Sequence, residues 1–183
     1  MIGLNFYISD LHFGHSNVIQ FDDRPFSNRD EMDQVMISLW NARVTDQDHV
    51  YIVGDFCYRS MYTADWYLKR LKGHKHLIIG NHDGDTLKNE KAMSYIESVE
   101  KMMHISDNGN QICLCHFPIA EWNGYHRGHW HVYGHIHGRL DDTYYFMRNR
   151  EKALNAAACI NHYMPVPLSE LIINNQKFKE LHK

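Results

Sequence analysis

Apolar residues in this chain gather into short runs, and five of these runs break off at residues able to bind a divalent metal. Tyr7-Ile8-Ser9 leads to Asp10 and His12, and Val50-Tyr51-Ile52-Val53 leads through Gly54 to Asp55. Leu77-Ile78-Ile79 leads through Gly80 to Asn81, His82 and Asp83. Ile112-Cys113-Leu114-Cys115 leads to His116, and Val132-Tyr133 leads through Gly134 to His135 and His137. Short apolar runs bounded by glycine read as buried strands. Between them, Met32, Val35, Met36, Leu39, Trp40 and Val44 recur at helical spacing. The pattern predicts an amphipathic helix over residues 28–43, capped by Ser27 with Asp30. Residues 62–71, closed by Gly73, and residues 88–99 are predicted as further helices. Residues 143–147 and 153–159 read as edge or second-sheet strands, and 169–173 as a short helix or strand beyond Pro165 and Pro167. Met32, Met36, Trp40 and the Met102-Met103 pair are expected in the core. Strands alternating with helices place the chain in the α/β class.

At 183 residues the chain fits a single domain, 1–183, large enough to bury a core without disulfides. No apolar run approaches the roughly 20 residues that span a bilayer. The start, Met1-Ile2-Gly3-Leu4-Asn5, lacks the basic and apolar segments of a secretory signal and reads as the lead-in to the first strand. The cysteines, Cys57, Cys113, Cys115 and Cys159, include no Cys-x-x-Cys pair, and Cys113 and Cys115 share one strand face. Reduced core thiols, no membrane and a cytoplasmic location are therefore expected. The net charge of −3 does not indicate a protein that grips nucleic-acid backbone. The excess is in histidine: 15 in all, seven of them between His104 and His137, which points to metal binding.

The residues at the strand ends are three oxygen donors (Asp10, Asp55, Asn81) and four imidazoles (His12, His116, His135, His137). Seven donors exceed one tetrahedral ion and suit two ions sharing a carboxylate. Mixed oxygen and nitrogen donors without thiolate favour manganese, iron or zinc. Two such ions about 3.5–4 Å apart lower the pKa of a bridging water and bind phosphoryl oxygens. A departing alkoxide needs a proton, and His82 is the candidate acid because it points away from Asn81 if the segment is extended. In the same extended geometry Asp10 and His12 share a side, as do His135 and His137. Gly54, Gly80 and Gly134 are expected to supply positive φ or a close backbone approach.

The series Asp10-x-His12, Gly54-Asp55, Gly80-Asn81-His82-Asp83, His116 and Gly134-His135-x-His137, running from about residue 5 to 138, resembles the calcineurin-like metallophosphoesterases. The resemblance implies a sandwich of two mixed β-sheets flanked by helices, with a dinuclear centre at the strand ends. It implies one ion on Asp10, His12, Asp55 and His137, and another on Asp55, Asn81, His116 and His135, with Asp55 bridging and His82 as proton donor. Phe13-Gly14-His15-x-Asn17, Arg24-Pro25-Phe26 and Trp40-Asn41 are similar to a small single-domain bacterial or phage subgroup. Larger family members follow Gly-Asp with Asp-Arg, where this chain has Tyr58-Arg59. The resemblance thus leaves Arg59 as a phosphate contact and removes the acid that would partner His82. Residues 155–159 depart from the family's valine- and glycine-rich strand, where no ligand lies.

His15 is a candidate to orient a ligand or touch substrate, against simple loop packing. The aromatic and basic loop 121–131 is expected to border the pocket, with Arg127 on phosphate and Trp122 or Tyr125 stacked on a base, against a plain surface loop. His49, His74, His76, His104, His162 and His182 are expected to be solvated or structural. The leading reading is hydrolysis of a phosphomonoester or phosphodiester by a metal-bridging hydroxide, with His82 as acid. The substrate class is a small phosphate ester, nucleotides included. The alternative is a non-catalytic metal-binding scaffold. A metallo-β-lactamase-like hydrolase is excluded because no His-x-His-x-Asp-His cluster is present.

Overall fold

Four strands, β1 (Asn5–Ile8), β2 (His49–Ile52), β3 (His74–Ile78) and β4 (Ile96–Glu100), pair in that order and in parallel. This computed structural model describes residues 3–183, so Met1 and Ile2 of the expected lead-in lie outside the described residues. Parallel neighbours need crossovers. These run through α1 (Val18–Phe21) and α2 (Arg29–Arg43), then α3 (Ala64–Leu68), then α4 (Gly84–Lys88) and α5 (Glu90–Met93). Val166 adds an antiparallel bridge to Tyr7. The second sheet orders β5 (Met102–Asp107), β6 (Asn110–Cys115), β7 (Trp130–Tyr133) and β8 (Ala153–Asn155). Its β5–β6 pair is antiparallel and the rest parallel. Helix α6 (Asp142–Met147) joins β7 to β8, and α7 (Leu168–Leu181) closes the chain.

Side-chain alternation along each strand sorts the layers. Phe6 and Ile8 face the helices and share a core with Val50, Ile52, Leu77, Met32, Met36 and Trp40. Tyr7 points the other way, into an inter-sheet core with Ile112, Leu114, Val132, Leu154 and Leu171. A third cluster, with Cys113, Tyr133, Tyr144 and Met147, covers the outer face of the second sheet. The result is the expected α/β architecture of two sheets packed face to face and flanked by helices. The four cysteines are free.

Several expected elements differ. Helix α2 starts one residue later than the Ser27 cap implies: Asn28 accepts from the Glu31 N–H at 2.9 Å, while Glu31 reaches back to the Ser27 N–H. Residues 88–99 do not form one helix. Asn89 caps the short α5 by accepting from the Ala92 N–H, and pairing with β3 then draws Ile96–Glu100 into a strand. Residues 143–147 are helical rather than extended, because Asp141 caps them by accepting from the Tyr144 N–H. Tyr144 and Met147, three apart, are the buried side chains there, a helical spacing hidden by the β-prone run Thr143-Tyr144-Tyr145-Phe146. Met102 is exposed on the edge strand β5, and only Met103 packs inward.

The Trp40-Asn41 pair fastens the α3–β3 connection. Trp40 is fully buried and its indole N–H donates to the Lys72 carbonyl, while Asn41 exchanges hydrogen bonds with the Arg70 carbonyl and the Lys72 N–H.

Candidate metal centre

The candidate ligands follow β1, β2, β3, β6 and β7, whose ends lie on one edge of the sandwich. Backbone hydrogen bonds knit the loops beyond these strands in register. Asp10 N donates to the Gly54 carbonyl, His12 N to that of Asp55, and Gly134 N to that of His116.

The expected extended geometry at the strand ends is not found. Asp10, His12, Asp55, His135 and His137 all have φ between 51° and 71°. Each such left-handed residue costs about 1–3 kcal/mol and persists only where its surroundings force it. At Asp10 the forcing contacts are visible: both carboxylate oxygens accept from the His135 N–H at 3.1 Å, and Ser9 Oγ donates to Oδ2 at 2.7 Å. Gly54 has φ 88°, as expected. Gly80 and Gly134 serve by close approach instead. A Cβ on Gly80 would stand 2.3 Å from Asp55 Oδ1, and one on Gly134 2.5 Å from Ser9 Oγ.

The side chains converge as two groups. His12 Nε2 lies 3.2 Å from His137 Nε2 and 3.6 Å from Asp55 Oδ2, and His137 Nε2 lies 3.5 Å from Asp10 Oδ1. In the second group His116 Nε2 is 3.0 Å from Asn81 Oδ1 and 3.6 Å from Asp55 Oδ2, and His135 Nδ1 is 2.9 Å from the same Asn81 oxygen. Asp55 thus touches both groups.

This donor set fits a cation. The Val53 carbonyl can only accept, so the His116 Nδ1 that meets it at 2.9 Å carries the proton. The other ring nitrogen, Nε2, then faces the oxygens of Asn81 and Asp55. His137 is oriented in the same way, with Nδ1 held by Asp22 at 2.6 Å and Nε2 facing Asp10 and His12. Donor atoms set this close repel unless a proton or a metal cation lies among them. Burial, then His137, holds His12 far below the usual imidazole range, leaving it a neutral donor at pH 7. Burial raises the Asp55 carboxyl, with Asp10 adding and His116 opposing. A bound cation would reverse that penalty.

The centre floors a cleft of about 480 Å³ lined also by His15, Asn17, Phe21, Tyr58, Arg59 and His82. The Asn81–Asp83 segment is a turn rather than extended chain. The His82 backbone N–H donates to Asp55 Oδ1 at 2.8 Å, and its ring lies 4.1 Å from that of Tyr58, centroid to centroid. Among the described residues no carboxylate hydrogen-bonds the His82 ring. The Arg59 guanidinium lies 5.2 Å from the centroid of the same Tyr58 ring. His15 is buried beside Tyr58, its Nδ1 has no hydrogen-bond partner among the described residues, and burial, then Arg59, lowers its pKa.

Loop 121–131 does not border this cleft, contrary to expectation. Arg127 donates to Asn123, the Tyr125 hydroxyl accepts from Arg150, and Trp122 is buried with its N–H on the His129 carbonyl. Trp122 and Tyr125 are drawn into the outer core of the second sheet, where Trp122 packs on buried His131.

Three residues that the sequence reading assigned no role organise the site. Asp22 holds His137. Arg24 donates to Asp22 Oδ2 and to the carbonyls of Asp10 and Leu11 at 2.8 and 2.9 Å, clamping the first ligand loop. Asp83 accepts from the N–H groups of Asp55, Phe56 and Gly80, tying the second and third loops together. Asp83 carried a signal as part of the Gly-Asn-His-Asp motif. Asp22 carried none, because nothing local marks an acid as the partner of a histidine 115 residues further along the chain.

No family model matches the chain. An uncharacterized protein of Methanocaldococcus jannaschii, MJ1445, is 33% identical over 169 residues, covering 91% of this chain and 88% of that one. The Gene 66 protein of Mycobacterium phage D29 is 28% identical over 159 residues, covering 73% and 78%. Among solved structures, AQ665 of Aquifex aeolicus, a protein of unknown function, shares the fold with a TM-score of 0.72 at 23% identity, over 92% of this chain and 97% of that one. The chain therefore belongs to the same family as MJ1445, and its motif series, two-sheet sandwich and converging donors match what the resemblance to the calcineurin-like metallophosphoesterases implies.

Proposed function

We propose that this protein is a phosphoric ester hydrolase that works with two transition-metal ions. The observation that carries the reading is the pair of donor groups sharing Asp55, each built from imidazole nitrogens with carboxylate or amide oxygens. Asp10, His12, Asp55 and His137 would hold one ion, and Asp55, Asn81, His116 and His135 the other. Manganese, iron and zinc match these donors. When bound, such a pair makes a nucleophilic hydroxide available near neutral pH and neutralises phosphoryl oxygens.

The remaining work falls to the chain itself. The His82 ring sits at the cleft wall next to His12, free of any carboxylate among the described residues, in position to give its proton to the departing alkoxide oxygen. Arg59, steadied over Tyr58, and His15 supply hydrogen-bond donors for phosphate oxygens. The cleft volume of about 480 Å³ suits a small ester, a nucleotide among them, rather than a long polyanion. The free cysteines, and the absence among the described residues of a helix able to cross a membrane, support a cytoplasmic site of action.

The test is turnover of aryl phosphate monoesters and diesters by metal-loaded protein, with manganese, iron and zinc supplied separately. Hydrolysis that is lost in Asp55→Asn together with bound metal is the expected result. Fully loaded protein that turns over neither ester class would favour the scaffold reading.

A further inference from the structure

The starts of β2 and β3, at the far end of the sheet from the cleft, carry three histidines in one cluster. His49 pairs in register with His74, and Tyr51 with His76. All point to one face of the sheet, beside the inter-sheet core that Tyr51 joins. His49 Nδ1 lies 2.9 Å from His76 Nε2, and His76 Nε2 lies 3.9 Å from Glu97 Oε2. The coordinating atoms of His49, His76 and Glu97 are all within 4.8 Å of one another. A tetrahedral zinc ion with bonds near 2.0–2.1 Å sets its ligand atoms roughly 3.3 Å apart, within this spread.

Glu97 reaches the cluster through a break in the ladder. Lys75 pairs with Ile96 and His76 with Ser98, so Glu97 is an extra residue on β4. A bulge of this kind turns a side chain onto a face that regular alternation would deny it. The neighbours hold the three candidate ligands in place. Glu97 Oε1 is hydrogen-bonded to His74 Nδ1, leaving Oε2 for the ion. His76 Nδ1 meets Ser98 Oγ at 2.7 Å, and the His76 ring stacks on Tyr51 at 4.8 Å. Such outer contacts fix ring orientation and tautomer in metal sites. The side chains of His74 and Glu97 are about half exposed, which leaves the cluster open to solvent.

We propose that His49, His76 and Glu97 bind one zinc-class ion that ties together the starts of β2, β3 and the edge strand β4. His74 and Ser98 position two of the ligands, and water completes the coordination. His49 precedes Asp55 by six residues, roughly 20 Å of extended strand, so this ion is separate from those of the cleft. Its role is structural: it fastens an edge strand whose outer side has no partner in the sheet.

The test is zinc content per chain, by elemental analysis after equilibrium dialysis against zinc alone, for the wild type, His49→Gln and Glu97→Gln. Each variant is expected to hold one zinc fewer than the wild type, whatever number the cleft itself takes up. Asp55→Asn is expected to retain the zinc that His49→Gln loses. A His49→Gln or Glu97→Gln chain with the full wild-type count overturns the proposal, because the His49–His76 contact would then be no more than two rings sharing a proton. Thermal midpoints in chelator check that the variants fold. Should His49→Gln fail that check, the half-exposed Glu97 decides alone.

Discussion

The Nδ1 atom of His137 lies 2.6 Å from the Oδ2 atom of Asp22, and this contact sets the direction in which His137 offers its other nitrogen. Burial works to lower the His137 pKa, but the Asp22 hydrogen bond and the nearby Asp10 outweigh it and raise it. With Nδ1 held by Asp22, Nε2 faces Asp10 and His12, where a bound ion would take the place of its proton. Asp22 is held in turn by Arg24, which also grips the Asp10 and Leu11 carbonyls. Asp22→Ala should therefore weaken metal binding about 10–100-fold while leaving every candidate ligand in place. Equilibrium dialysis with manganese reads the change, and an affinity equal to wild type would remove Asp22 from the account.

His82 touches Asp55 only through its backbone N–H, a contact that alanine keeps. His82→Ala should hold as much metal as the wild type and lose about 10²–10⁴-fold in turnover on an ester with a poor leaving group. The loss should shrink as the leaving group improves, because a weakly basic alkoxide departs without a proton. A constant loss across a leaving-group series would rule out the role of His82 as acid.

Gly80 has no room for a side chain. A Cβ there would stand 2.6 Å from the backbone nitrogen of Asp55 and 3.0 Å from the Cα of Gly54 as well as against the Asp55 carboxylate, and backbone cannot swing aside. Gly80→Ala should cost about 1–3 kcal/mol of stability and displace Asp55. Thermal unfolding and metal content should fall together. Stability lost with metal content intact would mean that the loop, not the ligand, had moved.

His131 is fully buried between the Cys113 carbonyl and the Ile119 N–H, and burial pushes its pKa down to about 4. Unfolded, the ring titrates near 6.5. Between these values the unfolded chain binds the extra proton, so stability is complete above about pH 6.5 and falls as pH drops toward 4. By linkage the loss reaches about 2 kcal/mol at pH 5. Chemical denaturation at pH 7 and pH 5 should show a smaller drop for His131→Gln, which keeps an acceptor for the Ile119 N–H but does not titrate. Equal drops in the two proteins would place the acid sensitivity elsewhere.

What was legible in the sequence was local. Apolar runs ending at Asp10, Asp55, Asn81, His116 and His135 marked the parallel strands, because a strand buried on both faces reads as a continuous apolar segment. The strand ends then implied convergence, since parallel strands of one sheet finish on the same edge. The helix over Arg29–Arg43 was equally plain from its 3.6-residue period. Where local signals conflicted, tertiary pairing decided. Ile96–Glu100 became a strand because β3 offered a free edge, and the β-prone aromatics after Asp141 became a helix because of its cap.

The sequence by itself determined which donor types the candidate centre offers: oxygen and imidazole, no thiolate, with His82 next to Asn81 in the chain. Only the tertiary structure decided their geometry. Left-handed backbone at Asp10, His12, Asp55, His135 and His137 replaces the extended chain that periodicity implies. Asp22 and Arg24 became partners of the first ligand loop, while Arg127 stayed exposed and its neighbours Trp122 and Tyr125 turned away into a separate core. The same is true of His49, His76 and Glu97, which sit in three different strands and meet only through register and a single bulge. Composition and spacing record which atoms can bind, but orientation depends on contacts between residues far apart in the chain, and these exist only once the sheets are packed.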